Sequence, residues 1–243
     1  MNKHGLSRTI PAAVKREVRR SCGFGCVICG ASIIEYEHID PPFAEAKEHD
    51  PDKIALLCPQ CHAKVTRDFL SKEAVKEARR NPHCLEEGYA SEFIDVGRQH
   101  PKVKFAGVTL IECDVPIQVG EAPLFQIKKA EEEGGPFRLS ANFANSKGEH
   151  SLQIIDNEWK VFTGNWDVEV VGGTITIRDA PGQISLKLSV AGRDTIAVEA
   201  LDMQLNGMRF RGDTDDLMIE FPDGGTGHFT NCIASHCHVG LAL

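Results

Sequence analysis

The chain has 243 residues, 42% apolar and 26% charged, with a net charge of -8. These are the proportions of a water-soluble globular protein, long enough for one large domain or two ordinary ones, and no apolar run reaches the length that crosses a bilayer. Charge is uneven: residues 1–85 hold 14 Lys and Arg against 11 Asp and Glu, and the remainder 13 against 24, so a basic first part can meet phosphate while an acidic second part stays away from it.

The opening "MNKHGLSRTIP" lacks the apolar core of a signal peptide, and the expectation is a cytoplasmic protein in a reducing compartment. Its nine cysteines are then metal ligands or buried thiols rather than disulfides. A helix is expected over "RTIPAAVKREVRR", with Thr9 as cap and Pro11 in the first turn. Lys15, Arg16, Arg19 and Arg20 on its exposed side are candidate contacts to a nucleic-acid backbone. After the turn "SCGFGCVICG", the β-branched and aromatic residues of "ASIIEYEHID" read as strands. A short helix follows from His62, and "SKEAVKEARR" is another helix capped by Ser71.

Two C-x2-C pairs, Cys26/Cys29 and Cys58/Cys61, are separated by 28 residues. Each pair lets a tight turn aim two thiolates at one tetrahedral ion, and four sulfurs leave no open position, which points to a structural zinc. In a domain this small, metal binding is a large part of the folding free energy.

Between the pairs, Glu37 and His38 stand side by side in "YEHIDPP", and a strand sends neighbouring side chains to opposite faces. Cys26, Cys29, Glu37-His38-Ile39-Asp40-Pro41, the approach "HDPDKIALLCPQC" and Cys61-His62 together resemble the zinc-bearing form of the HNH endonuclease family, over residues 8–80. That resemblance implies a ββα-metal domain in which Glu37 and His62 hold a catalytic Mg2+ or Mn2+. It also implies that His38, on the other face, is the general base that deprotonates a water. The chemistry suits phosphodiester cleavage, which needs charge neutralised at the phosphate and a base near neutrality. His62 has a second reading as a spare zinc ligand in a Cys3His site.

One position departs from the family pattern. Lys53 stands where an Asn is usual, and an ammonium has no acceptor with which to steady a loop or ligate a metal. Asp52 or His49 are candidate substitutes, and Lys53 itself is a candidate phosphate contact.

From residue 86 the helical period fades. Residues 86–104 read as a linker, and 105–243 as an all-β domain of short alternating runs punctuated by turns such as "VGG", "APGQ" and "LNG". The overall class is α+β, the second domain a sandwich or jelly-roll-like body with a solenoid as the alternative. Near the end, His228, Cys232, His236, Cys237 and His238 read either as a second metal site or, more simply, as the two faces of a strand. Trp159 and Trp166 read as packing residues rather than a base-stacking platform.

The expected function is a metal-dependent endonuclease hydrolysing DNA, with RNA as the alternative nucleic-acid partner, gated by the β domain through a protein partner, a ligand or self-association. The arrangement resembles nuclease effectors of bacterial anti-phage defence. The alternatives are a zinc-stabilised nucleic-acid-binding adaptor that has lost cleavage, and a β-domain sensor whose output is the HNH part.

Overall fold

The computed structural model describes every residue except Arg193. Strand makes up 46% of the chain and helix 15%, which fits the α+β class. The chain divides into two compact units: Met1–Glu92 together with Val161–Val170, and Phe93–Lys160 together with Val171–Leu243.

The first unit begins with α1 (Ala12–Ser21). Pro11, not Thr9, occupies its N-cap, and no side chain caps it. Next come β1 (Glu35–His38), β2 (Ile54–Leu57), α2 (Pro59–Thr66), α3 (Lys72–Arg80), α4 (His83–Glu87) and β3 (Tyr89–Phe93). β1 and β2 form an antiparallel pair in which Glu37 faces Ala55 and His38 faces Ile54. β2 is buried at all four positions, Ile54, Ala55, Leu56 and Leu57, as its unbroken apolar run implies. Around it pack Val18, Cys22, Val27 and Val75. Ser71 caps α3, its Oγ accepting from the Ala74 amide at 3.1 Å. Arg79 of α3 donates to the Ile54 carbonyl at 2.9 Å and to Ser21 Oγ at 2.7 Å, tying three elements together.

The sequence gives no sign that residues 161–170 belong here. Arg19 of α1 reaches Asp167 with two hydrogen bonds of 2.9 and 2.8 Å, and Thr163 returns its amide to the Gly88 carbonyl at 2.9 Å. The stretch expected to be a linker holds part of α4, all of β3 and most of β4.

The second unit is built from β4 (Lys102–Phe105), β5 (Val108–Val119), β6 (Ala122–Lys128), β7 (Arg138–Ala144), β8 (His150–Ile155), β9 (Glu158–Phe162), β10 (Asp167–Val171), β11 (Thr174–Ala180), β12 (Gln183–Ala191), β13 (Thr195–Leu205), β14 (Met208–Gly212), β15 (Asp216–Glu220), β16 (Thr226–Thr230) and β17 (Cys232–Ala242). β9 and β10 straddle the division: Val161 and Phe162 of β9, and all of β10 except Val171, belong to the first unit. Sequential hairpins run β4 to β8 and β11 to β16, and two parallel pairs, β4 with β13 and β5 with β17, join them. This differs from the Greek keys of a jelly roll and from the parallel stacking of a solenoid.

The sheet curls because its long strands change partners midway. β5 pairs with β4 through Val108–Leu110 and with β6 through Ile117–Val119, and between them Glu112 takes a positive φ of 52°. β13 pairs with β4 at Thr195–Val198 and with β14 at Leu201–Leu205, with a register shift in its β12 ladder beside Glu199. Bulges bend a strand in this way and let one strand serve two layers. Inside lie Phe105, Phe125, Phe143 and Phe210, the middle two edge to face at 6.2 Å. The "LNG" turn is a tight hairpin in which Asn206 and Gly207 both have positive φ, 51° and 78°, the combination that a two-residue turn of matching twist requires. Trp159 is buried, 3% exposed. Among the described residues, no helix is long and apolar enough to cross a membrane.

Candidate functional site

The four cysteines meet. One sulfur each from Cys26, Cys29, Cys58 and Cys61 lies within 4.8 Å of all the others. Cys58 is the N-cap of α2, and its Sγ accepts from the Cys61 amide at 3.3 Å. The opposite knuckle is a turn closed by the Gly30 amide on the Cys26 carbonyl at 2.9 Å. Gly30 has φ +80°, and a Cβ there would stand 2.8 Å from the His83 ring, so a side chain at this turn is excluded twice over.

The set fits a zinc ion by number, softness and spacing. A tetrahedron with Zn–S bonds of about 2.3 Å places its sulfurs about 3.8 Å apart. The Cys29–Cys58 and Cys61–Cys29 separations are 3.6 and 3.9 Å. Burial pushes the Cys58 thiol up, but the Cys61 amide and the neighbouring sulfurs outweigh it and hold that thiol below its ordinary value. Burial also drives up Cys29, to about 11, and Cys61. Four sulfurs this close cannot all ionise alone, and a bound divalent cation reverses that balance.

His62 projects from α2, one residue past the last of these cysteines, and is not one of the clustered ligands, against the Cys3His alternative. Its Nδ1 meets the Glu35 carboxylate, and its Nε2 lies 3.2 Å from Glu37 Oε2. Glu35 and Glu37 are two apart on β1 and so share a face. A neutral imidazole has one N–H, so it satisfies one carboxylate and turns a lone pair toward the other. One of the two contacts therefore calls for a second proton or a cation between nitrogen and oxygen. Glu35 escaped the sequence reading; the alternation of "EYEH" carries the signal that places it beside Glu37.

His38 points away from this pair. Its Nε2 lies 3.1 Å from His49 Nδ1, and His49 Nε2 lies 3.0 Å from the Ser7 carbonyl. A carbonyl only accepts, so His49 Nε2 donates, a neutral His49 presents Nδ1 as acceptor, and His38 Nε2 must donate to it. That leaves the lone pair of His38 on Nδ1. Burial, then the neighbouring His49, lowers the His38 pKa. The residue is only 7% exposed and its ring packs edge-on against Phe43 at 5.4 Å, more enclosed than a base facing open solvent.

Of the two substitutes for the usual Asn, His49 is the one bonded to His38. Asp52 is exposed. Lys53 contributes its backbone, the carbonyl accepting from the Ile39 amide at 2.9 Å, and its side chain is exposed.

The basic helix needs one correction. Arg19 is not available to phosphate: it is 6% exposed, its fork fills the Asp167 carboxylate, and Nη1 also donates to Tyr36 Oη at 3.1 Å and lies 3.4 Å from Glu169. A helix-face reading missed this because both acids are some 150 residues away in sequence. Lys15 lies over the Tyr36 ring at 5.5 Å and Arg16 over the Trp166 ring at 4.9 Å, while Arg20 is exposed.

The late histidines each face an acid, His228 with Asp216 at 3.3 Å, His236 with Glu112 at 2.8 Å and His238 with Asp114 at 3.2 Å. Among the described residues neither they nor Cys232 and Cys237 join a cluster of metal ligands. Comparison of the chain with models of known protein families, with curated proteins and with solved structures gives no match.

Proposed function

We propose that the first unit is a metal-dependent endonuclease of the HNH type that hydrolyses DNA phosphodiester bonds, gated by the β unit, with anti-phage defence in the cytoplasm as its setting. The observation that carries this reading is the division of labour across β1. Glu37 meets His62 on one face, and on the other His38, its pKa lowered by burial, bonds His49.

Glu37 and His62 offer one oxygen and one nitrogen, a donor pair that would hold Mg2+ or Mn2+. When bound, such an ion would supply positive charge to neutralise the scissile phosphate and the leaving oxygen. Glu35 holds the Nδ1 side of His62, which keeps Nε2 directed at Glu37. On the opposite face His49 holds Nε2 of His38, so that Nδ1 is the nitrogen that takes a proton from the attacking water. Arg20, Lys53, Lys15 and Arg16 are the cations left for the phosphate backbone.

A second reading, a nucleic-acid-binding adaptor without cleavage, draws on the enclosure of His38 and on Lys53 in place of Asn. Plasmid nicking separates the two. Zinc-loaded protein and His38→Ala are incubated with supercoiled DNA, without added metal and with Mg2+ or Mn2+. The nuclease reading expects metal-dependent nicking that falls ~10²- to 10⁴-fold in the variant. Nicking by His38→Ala at the wild-type rate refutes the assignment of the base, and DNA retention without nicking favours the adaptor.

A further inference from the structure

β17 runs parallel to β5, with Cys237 directly across from Cys113 and Val239 across from Val115. One position earlier each strand has a left-handed residue, Glu112 at φ 52° and His236 at φ 54°. The matched kinks turn those two side chains outward, where they pair at 2.8 Å, and aim the next residue of each strand inward. The result is a Cys113–Cys237 sulfur separation of 3.0 Å, tighter than the 3.6 Å between two of the clustered zinc-type sulfurs.

Neighbouring strands lie about 4.8 Å apart, inside the window of roughly 4.4–6.8 Å between Cα atoms that a disulfide spans. Gly240 adds to the closeness: a Cβ there would stand 2.4 Å from Leu110 and 3.4 Å from Cys113 Sγ. The two thiols differ in access, Cys113 being 1% exposed and Cys237 half-buried. Burial, together with the bond to Cys237, pushes the Cys113 thiol up to about 11, so Cys237 is the sulfur that meets an oxidant.

We propose that Cys113 and Cys237 are a reversible dithiol site that hydrogen peroxide closes into a disulfide across β5 and β17. The Cys237 thiolate attacks one peroxide oxygen, the O–O bond breaks, and the departing hydroxide leaves as water after taking a proton. Cys237 is then a sulfenic acid. The Cys113 sulfur attacks the Cys237 sulfur, the S–S bond forms, and the hydroxyl departs as a second water with the Cys113 proton. The thiols lose two electrons and the peroxide gains them. Among the described residues β17 pairs with β5 alone, so the bond staples the last strand of the chain to its one neighbour. A thiol reductant reverses it.

The test uses the full-length, zinc-loaded protein. After a stoichiometric dose of hydrogen peroxide, free thiols are blocked with N-ethylmaleimide and the digest is read by mass spectrometry. The expected product is the Cys113 peptide joined to the Cys237 peptide, two hydrogens lighter than their sum and lost on reduction. Hydrogen exchange across residues 232–242 should slow in the oxidised form and stay unchanged in Cys237→Ser. Recovery of both cysteines as maleimide adducts, of Cys237 as sulfinic acid with Cys113 alkylated, or of Cys237 bonded to Cys232 overturns the proposal.

Discussion

At the scale of single residues, the arrangement turns on what each imidazole nitrogen faces. His62 stands between two carboxylates, which makes Glu35 a positioning residue for the proposed cation. Glu35→Gln keeps an oxygen that can accept from Nδ1 but removes its charge. Outer-shell losses of this kind cost ~10- to 100-fold in metal affinity, and Mn2+ titration of the zinc-loaded variant by calorimetry should show a loss in that range, with Glu37→Ala losing more. The nearby Arg19–Asp167 pair is a different kind of contact. Removing one partner of a buried pair costs ~3–5 kcal/mol because the other is left charged and dry. Arg19→Leu should therefore lower the denaturation midpoint of the first unit steeply, and adding Asp167→Leu should recover part of the loss.

At the scale of elements, the first unit has short pieces: a four-residue β1, a four-residue β2 and an eight-residue α2. Helices this short are marginal alone, and the sulfur cluster closes the turn into α2. Stripping zinc, or replacing Cys58 with Ser, should abolish the helical circular-dichroism signal while the strand signal of the second unit persists; an unchanged spectrum after chelation rules out a structural role for the metal. Much at this level was legible because it is local. Ser71 capping, the two cysteine knuckles, the opposed Glu37 and His38, and the Asn206-Gly207 turn all rest on residues within a few positions of one another. The partner of Arg19, the neighbours of the late histidines and the curl of the sheet rest on contacts between residues far apart in the chain, which periodicity does not register. Kinks at Glu112 and Glu199 leave almost no trace in "LIECDV" and "VEAL", because neither holds a glycine or proline.

At the scale of the molecule, the basic and acidic parts of the chain bear on the proposed contact with nucleic acid. A cation that touches phosphate displaces a counterion, so log affinity falls with log salt by roughly 0.9 for each contact on duplex DNA. Lys15→Ala, Arg16→Ala and Arg20→Ala should each flatten that slope by about one in filter-binding or anisotropy titrations. Arg19, spent on Asp167, should leave it unchanged; three variants with wild-type slopes would remove α1 from the interface.

The excursion of residues 161–170 also bears on how such a protein can be taken apart or rearranged. A gene break at codon 92 strands Arg19 without its acid, and a break after codon 170 drags most of the first half of the β unit along. Neither unit can be inherited, swapped or purified by a single scission. Fusion to a foreign effector calls for a graft that carries the ten-residue return stitch as well.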